Sequence, residues 1–392
     1  MKKIAIITCG LLPIPAVQGG AVENLIDYYL EYNNDKKLYD ITVYSPWNHN
    51  VKKHPALYSD VNHYIYIDVT SLKARIQRRI YKYLHSHEYY NYFIEYYFER
   101  VYKRLAKNDY DYILLENSPG HAYKLSLRGY SNLILHLHND LLNSQTRFHE
   151  SIANGLTKVI TVSDYIKNRV STIVPKEKIQ TVYNGIDIQR FTLGNHSDVC
   201  RQVVGFSDED FIIVYSGRIN KDKGVSELID AILLLKDVSR IKLMILGSSF
   251  FDDAKNEDAF LLALKNKAKH IEGKIVFTGF VPYSRVPEYL RLANIAVLPS
   301  MWEEPFGLTI VEAMAAGLPL ITTKSGGIPE ICEGVAILIE RDDIVNRLAQ
   351  SIRFLYDNSK KRKQMAMKSL SRSKFFDKER YSINLFTAID NQ

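Results

Sequence analysis

The chain has 392 residues and a formal net charge of +7, from 51 Lys and Arg against 44 Asp and Glu, a length for about two or three domains. No apolar run reaches the roughly 18 residues a membrane span needs, and three scattered cysteines, Cys9, Cys200 and Cys332, point to neither a disulfide framework nor a metal site and suit a reducing cytoplasm. Residues 1–190 hold 24 Lys and Arg against 18 Asp and Glu, and the remainder 27 against 26; a basic N-terminal half attracts anionic substrates or a membrane surface, whereas no recognised motif supports nucleic acid as a partner.

Lys2–Thr8 reads as a first buried strand. With Met1 it mimics the start of a signal peptide, but the apolar run is too short and a Gly- and Pro-containing loop follows. That loop ends in Gly19-Gly20 and leads into helical spacing at Val22, Leu25, Ile26, Tyr29 and Leu30. A strand, glycine loop and helix in this order can turn backbone N–H groups toward a phosphate. The spacing is not G-x-G-x-x-G, and a plain tight turn fits equally well.

Further strands are expected at Ile41–Ser45 and Tyr64–Ile67, then one long helical stretch from Ser71 to Lys107. Lys73, Arg75, Arg78, Arg79 and Lys82 occur there with no acid among them, interleaved with Ile76, Ile80, Tyr81 and Leu84. Such an amphipathic helix can rest on an anionic bilayer, or can be a solvated charged face over a packed apolar one. Tyr112–Glu116 and Asn132–His138 read as parallel strands. Alternation places His136 and His138 on one side of the second, with His138 at its carboxyl end, where open α/β sheets hold ligands. The pair makes a metal site conceivable, but the sequence offers no third ligand. Lys158–Ser163 and Ile179–Tyr183 complete this half, and Arg190–Gly205 reads as the interdomain linker.

A second unit of the same kind starts at Phe211–Ser216. Its first loop, Gly217 to Gly224, carries Arg218 and Lys223 just before a helix from about Val225. A guanidinium fork, a movable ammonium and a helix start together can neutralise a diphosphate leaving group. Strands follow at Lys242–Leu246, Ile275–Thr278, Asn294–Leu298 and Leu320–Thr323, and the chain reads as helical from Arg341 onward. Between the last two strands lies Glu304-Pro305-Phe306-Gly307-Leu308-Thr309-Ile310-Val311-Glu312, in which two carboxylates flank a helix start closed by Gly317. The helix start seats an anion and the carboxylates accept hydroxyls, which together match a nucleotide sugar. Asp208-Glu209-Asp210 has the D-x-D form of a cation site, but it precedes a strand and reads as solvated.

Glu304 and Glu312, with seven residues between them and Glu-Ala-Met-Ala-Ala-Gly-Leu-Pro following, resemble the E-x7-E motif of the family-4 retaining glycosyltransferases. Gly217-Arg218…Lys223-Gly224, Asn184-Gly185-Ile186-Asp187 and Gly326-Gly327-Ile328-Pro329-Glu330 resemble further motifs of that family. The resemblance covers nearly the whole chain and is weakest between about Val51 and Lys107. It implies an α/β GT-B fold: two Rossmann-like doubly wound domains facing a cleft, here residues 1–190 and 206–374, with a last helix in 375–392 crossing back to the first. It also implies roles. Arg218 and Lys223 stabilise the departing diphosphate; Glu304 and the backbone of Phe306, Gly307 and Leu308 hold the sugar; Glu312 binds the ribose. Val281 lies by the base, Gly19 and Gly20 face the diphosphate and acceptor, and His138, favoured over His136, touches the sugar. No metal or other cofactor is required. The expected donor is a UDP-sugar and the acceptor a glycan or lipid-linked glycan of envelope or capsule synthesis, in the cytoplasm or on the inner membrane face through residues 73–82. The alternatives are an epimerase of the same fold and a non-catalytic nucleotide-sugar-binding subunit.

Overall fold

The structure, a computed structural model, describes every residue except 86, 88, 193–197, 249–258, 272 and 392. The chain divides into two compact units, Met1–Asn184 with Lys378–Gln392, and Gly185–Asp377.

The first unit is built on seven parallel strands: β1 (Lys2–Ile7), β2 (Tyr39–Pro46), β3 (Asn62–Ile67), β4 (Tyr112–Glu116), β5 (Leu133–Leu137), β6 (Leu156–Thr161) and β7 (Ile179–Thr181). Their order is β3-β2-β1-β4-β5-β6-β7. Every residue of β4 and β5 is buried, as expected of parallel strands covered by helices on both faces. The order reverses between β1 and β4, which makes their carboxyl ends the ligand-binding end of the sheet. The C-terminal helix Lys378–Asp390 packs on the helix Ala21–Lys36, where Phe386 meets Tyr29 edge-on at 6.0 Å and stacks on Tyr39 at 5.0 Å. Lys2 Nζ and Tyr39 Oη both donate to the Asp390 carboxylate, and Lys158 donates to the Ala388 carbonyl.

The stretch expected as one helix from Ser71 to Lys107 is two, Leu72–Leu84 and Tyr92–Leu105. Asn91 starts the second by accepting from the Phe93 and Ile94 amides, while Glu95 reaches back to the Tyr89 and Tyr90 amides. The first of these helices turns Ala74, Gln77, Arg78 and Tyr81 toward the second, while Lys73, Arg75, Arg79 and Lys82 stay exposed. Arg78 lies over the Phe93 ring at 4.6 Å and Lys82 over Tyr92 at 5.2 Å. Gln77 accepts from Tyr96 and Arg100, and Tyr81 meets Tyr96 edge-on. The opposite face carries Leu72, Ile76, Ile80, Tyr83 and Leu84, all more than half exposed. The packed face is therefore polar and aromatic, and the solvated face carries both this apolar stripe and four of the five cations, which is not a solvated charged face over a packed apolar one.

The second unit repeats the plan with six parallel strands: β8 (Phe211–Ser216), β9 (Ile241–Leu246), β10 (Ile275–Gly279), β11 (Ile295–Leu298), β12 (Leu320–Thr323) and β13 (Ile337–Ile339). The order is β10-β9-β8-β11-β12-β13, with the reversal between β8 and β11. β13 is only three residues long and has no legible pattern in the sequence. The region read as helical from Arg341 onward is three helices, Ile344–Asp357, Ser359–Ser373 and the C-terminal one. Of the expected linker, 193–197 lie outside the described residues, and Arg201–Val204 is a short helix whose Arg201 guanidinium donates to the Leu292, Asp208 and Asp210 carbonyls.

Candidate functional site

In the second unit the chemistry collects at the switch point. The loop after β8 and the loop after β11 leave adjacent strand ends and are tied together by the Met301 amide donating to the Asp222 carbonyl at 2.8 Å. Gly224 sits at this junction with φ +67°, and a Cβ there would lie 2.8 Å from the Pro299 carbonyl oxygen. No other residue type lets the two loops approach so closely. Lys223, from the first loop, forms an ion pair with Glu304 from the second. Trp302 Nε1 donates to the same Glu304 Oε2 at 2.8 Å, and the Lys223 ammonium lies 5.0 Å from the Trp302 ring centre. Arg218 is exposed on the β8 loop, its carbonyl accepting from the buried Tyr215 hydroxyl at 2.8 Å. Arg218 and Glu304 both act on Tyr215 electrostatically.

The Glu304 loop is held from behind by residues that the motif does not announce. Glu303 accepts from the Gly326 amide at 2.6 Å and pairs with Arg341, which also donates to the Met301 carbonyl at 3.0 Å. The Gly327 amide donates to the Glu304 carbonyl at 2.8 Å, and a Cβ on Gly326 would lie 2.2 Å from that oxygen. Beneath, Thr323 and Ser325 hydroxyls donate to the Ser300 carbonyl. The loop is thus preorganised by backbone bonds and leaves the Glu304 side chain to Lys223 and Trp302.

Gly307, with φ 106°, starts the helix Leu308–Ala315. Phe306 is buried edge-on against Phe376 at 5.8 Å. Glu312 lies one turn into this helix, buried, and burial pushes its carboxyl up to about 7 against a hydrogen bond with Tyr283 that lowers it. Val281, half-buried, lies in the loop after β10, the third strand from the switch point. Asp208–Asp210 lie before β8, at the opposite end of the sheet. Asp210 accepts from the Ser207 amide and Glu209 pairs with Arg240, so this string is used locally and is far from the Lys223–Glu304 loops along the strand.

In the first unit His136 and His138 share one side of β5, and both face Glu116. This carboxylate is the third donor that the sequence did not reveal. It comes from β4, where parallel register pairs Glu116 with His136. Glu116 accepts from Tyr29 Oη at 2.9 Å, His136 Nδ1 at 3.1 Å and His138 Nε2 at 2.8 Å. The two imidazoles and the hydrogen bonds they make hold it well below the usual carboxylate range in spite of its burial. Among the described residues Glu116, His136 and His138 form a group able to hold a metal ion, although each of the three faces another member through a hydrogen bond. Gly19 and Gly20 both have positive φ and lead into the helix Ala21–Lys36. The first turn of that helix carries Glu23, buried and pushed up to about 7; a Cβ on Gly20 would fall within 2.1 Å of its Oε2. The helix start beside the glycine pair is therefore already faced by a carboxyl group.

Two loops converging at the switch point of a parallel sheet bring together a cation, a carboxylate and a glycine-led helix start, groups that can receive an anion and hydroxyls. The model described as Glycosyl transferases group 1 matches residues 197–371, and that of Glycosyltransferase Family 4 matches residues 32–190; together they take in most of the chain. Spore coat protein SA of Bacillus subtilis is 27% identical over 388 residues, covering 93% of this chain and 92% of that one. The lipopolysaccharide 1,2-N-acetylglucosaminetransferase of Salmonella typhimurium is 26% identical over 248 residues, 62% of each chain. The crystal structure of HepE from Anabaena in complex with UDP-glucose superimposes with a TM-score of 0.74 at 21% identity over 99% of both chains.

This protein is a GT-B enzyme that transfers sugars from nucleotide donors. It belongs to the family-4 glycosyltransferases, a retaining family.

Glu312 permits a direct test of the buried-carboxyl geometry. A carboxyl whose folded pKa lies above its unfolded value of 4.5 stabilises the fold fully below that value, and the contribution is lost as pH rises through about 7. Relative to Glu312→Gln, the wild-type protein should lose on the order of 2–3 kcal/mol between pH 4.5 and 8. Thermal unfolding of both proteins across that range measures it; parallel curves would show that Glu312 is already ionised at pH 5.

Proposed function

We propose that the enzyme moves a sugar from a UDP-sugar to a saccharide or lipid-linked saccharide in envelope or capsule polysaccharide synthesis. The observation that carries the reading is the Lys223–Glu304 ion pair, which joins the two motif loops at the switch point of the second sheet. The UDP-glucose bound by HepE and the named acceptor class of the Salmonella enzyme support the donor and the setting.

Lys223 leaves Glu304 for the donor diphosphate and, with Arg218 and the helix start at Gly307, stabilises the charge that develops on it. Glu304, relieved of its ion pair, accepts from the sugar hydroxyls while the Phe306–Leu308 backbone lines the sugar. Glu312 accepts from the ribose, with Val281 beside the base. Gly19 and Gly20 border the diphosphate and acceptor, and His138 contacts the sugar. The acceptor oxygen forms its bond to the anomeric carbon on the face from which the phosphate oxygen departs, and that phosphate oxygen takes the acceptor's proton. Glu304 is a poor fit to a nucleophile's role, because once Lys223 has left, the Trp302 indole N–H still donates to its Oε2 and holds it as an acceptor.

A thermal-shift screen of nucleotide sugars identifies the donor. With that donor, Arg218→Ala or Lys223→Ala should lower kcat by about 10²-fold or more, the scale of losing one preorganised donor. Near-normal turnover in both variants would remove the charge-compensation roles. Activity should also survive exhaustive chelation, since cationic side chains and a helix start carry the charge; a complete loss with EDTA that Mg²⁺ restores would show that a divalent cation is needed.

The same reading puts the enzyme on the inner face of the membrane. The exposed stripe Leu72, Ile76, Ile80, Tyr83 and Leu84, flanked by Lys73, Arg75, Arg79 and Lys82, has the makeup of an interfacial helix. Apolar insertion and cations near an anionic leaflet, at about 1 kcal/mol each, act together. Co-sedimentation with phosphatidylglycerol vesicles should need the anionic lipid, weaken with salt, and fall sharply in an Ile76→Ser, Ile80→Ser variant. Wild-type protein left in the supernatant at low salt would refute the membrane site and leave the transferase reading intact.

A further inference from the structure

A contact between His138 and the sugar does not by itself explain why a fully buried carboxylate stands behind the imidazole. Glu116 is 1% exposed and His136 not at all. A buried charge is costly, and an apolar residue of similar volume commonly serves packing as well or better. Tyr29 and His136 donate to Glu116 from deep in the unit, whereas His138 lies at the carboxyl end of β5, where the strand gives way to a loop.

The two nitrogens of His138 are in different situations. Nε2 lies 2.8 Å from Glu116 Oε2, while Nδ1 is buried and has no hydrogen-bond partner among the described residues. A proton on Nδ1 would be a buried N–H with no acceptor beside it among the described residues, whereas a proton on Nε2 meets the Glu116 carboxylate, so the ring carries one N–H. A lone pair cannot face a carboxylate oxygen at 2.8 Å without repulsion, so the proton is on Nε2. The backbone supports this orientation: the His138 amide donates to the Asn117 side chain at 3.2 Å, and Asn117, at φ 52°, donates its own amide to the His136 carbonyl. Nδ1 is left as a fixed acceptor whose need no protein group meets.

We propose that Glu116 is a positioning residue, which locks His138 in the Nε2–H tautomer and so presents Nδ1 as an acceptor for a hydroxyl of the transferred sugar; this rests on the role of His138 at the sugar proposed above. The donors selected by this site are sugars with a free hydroxyl at that position; deoxy or O-alkylated sugars leave the buried nitrogen unpaired and are disfavoured. The orphan nitrogen of His138 then has a partner only in the sugar-bound state, while UDP alone makes no use of it.

The tautomer can be read without a ligand, by long-range ¹H–¹⁵N correlation on the full chain labelled in histidine, with His138→Gln to assign the signal. The wild-type ring should show a protonated Nε2 and a bare Nδ1 at neutral pH. In Glu116→Gln, whose amide can accept from one ring but presents N–H to the other, that single tautomer should be lost. With the donor from the nucleotide-sugar screen, kcat/KM of Glu116→Gln should fall about 10- to 100-fold, the scale of losing a carboxylate that orients a working imidazole. UDP affinity by calorimetry should stay at the wild-type level. A wild-type His138 protonated on Nδ1 overturns the proposal even where the Gln variant does not fold, and so does a Gln variant that keeps both tautomer and turnover. One equivalent of zinc in the purified protein, lost in Glu116→Gln, would make the cluster a metal centre instead. Full turnover by His138→Gln would remove the sugar contact itself, separating failure of the underlying reading from failure of the positioning role.

Discussion

Strands buried on both faces leave a parallel sheet only its ends and edges for polar chemistry. Both sheets of this enzyme obey that constraint. β4, β5, β8 and β11 are buried along their whole length, and the polar groups that matter stand at or just beyond their carboxyl ends. Glu116 is the last residue of β4, His138 follows β5, Gly217 and Arg218 follow β8, and Ser300 to Glu304 follow β11. The order reverses between β1 and β4 in the first sheet and between β8 and β11 in the second, so the connecting loops part there and leave room for a ligand. The position of the chemistry is a consequence of topology before any individual side chain is considered.

Each end carries a carboxylate, and the two are held differently. Glu304 is partly accessible and is held by a movable ammonium and an indole N–H. A lysine is a point charge on a flexible stem, so this pair can be broken and its cation used elsewhere. Glu116 is fully enclosed and is held by one phenol and two imidazoles, groups that cannot move away without opening the core. The first arrangement suits a group that changes partner during a reaction. The second suits one that fixes the state of its neighbour. Glu312 and Glu23 form a third kind, buried with their pKa values pushed up to about 7, where the proton itself neutralises the group.

The sequence is most legible where a function is local. The strand runs are mostly apolar, so twelve of the thirteen strands among the described residues can be read from pattern; β13, three residues long, has too few positions to carry one. The Arg218–Lys223 and Glu304–Glu312 motifs each lie within one loop and helix start, so their resemblance to the family's motifs is visible in a short stretch of sequence. Glu303, Arg341, Trp302 and Glu116 could not be found this way. Arg341 reaches Glu303 from 38 residues away, and Glu116 meets His136 across 20 residues through a strand register that only pairing creates. Glu116 had one weak signal, a charged residue closing an otherwise apolar strand.

The helix Leu72–Leu84 shows a different limit. Periodicity reveals that two faces differ but not which of them is packed. The usual assignment, apolar inward, assumes that the neighbouring surface is apolar. Here the neighbour is the helix Tyr92–Leu105, which presents Tyr92, Phe93 and Tyr96 together with Arg100. Aromatic faces attract cations, and the hydroxyl and guanidinium groups need an acceptor, which Gln77 supplies. Arg78 and Gln77 are therefore better partners for that surface than Ile76 or Ile80 would be, and with them turned inward the isoleucines face outward. An apolar stripe left in water costs free energy, roughly 25 cal/mol for each Å² it could bury. Nothing in the packing of the two helices requires Leu72, Ile76, Ile80, Tyr83 and Leu84 to be apolar.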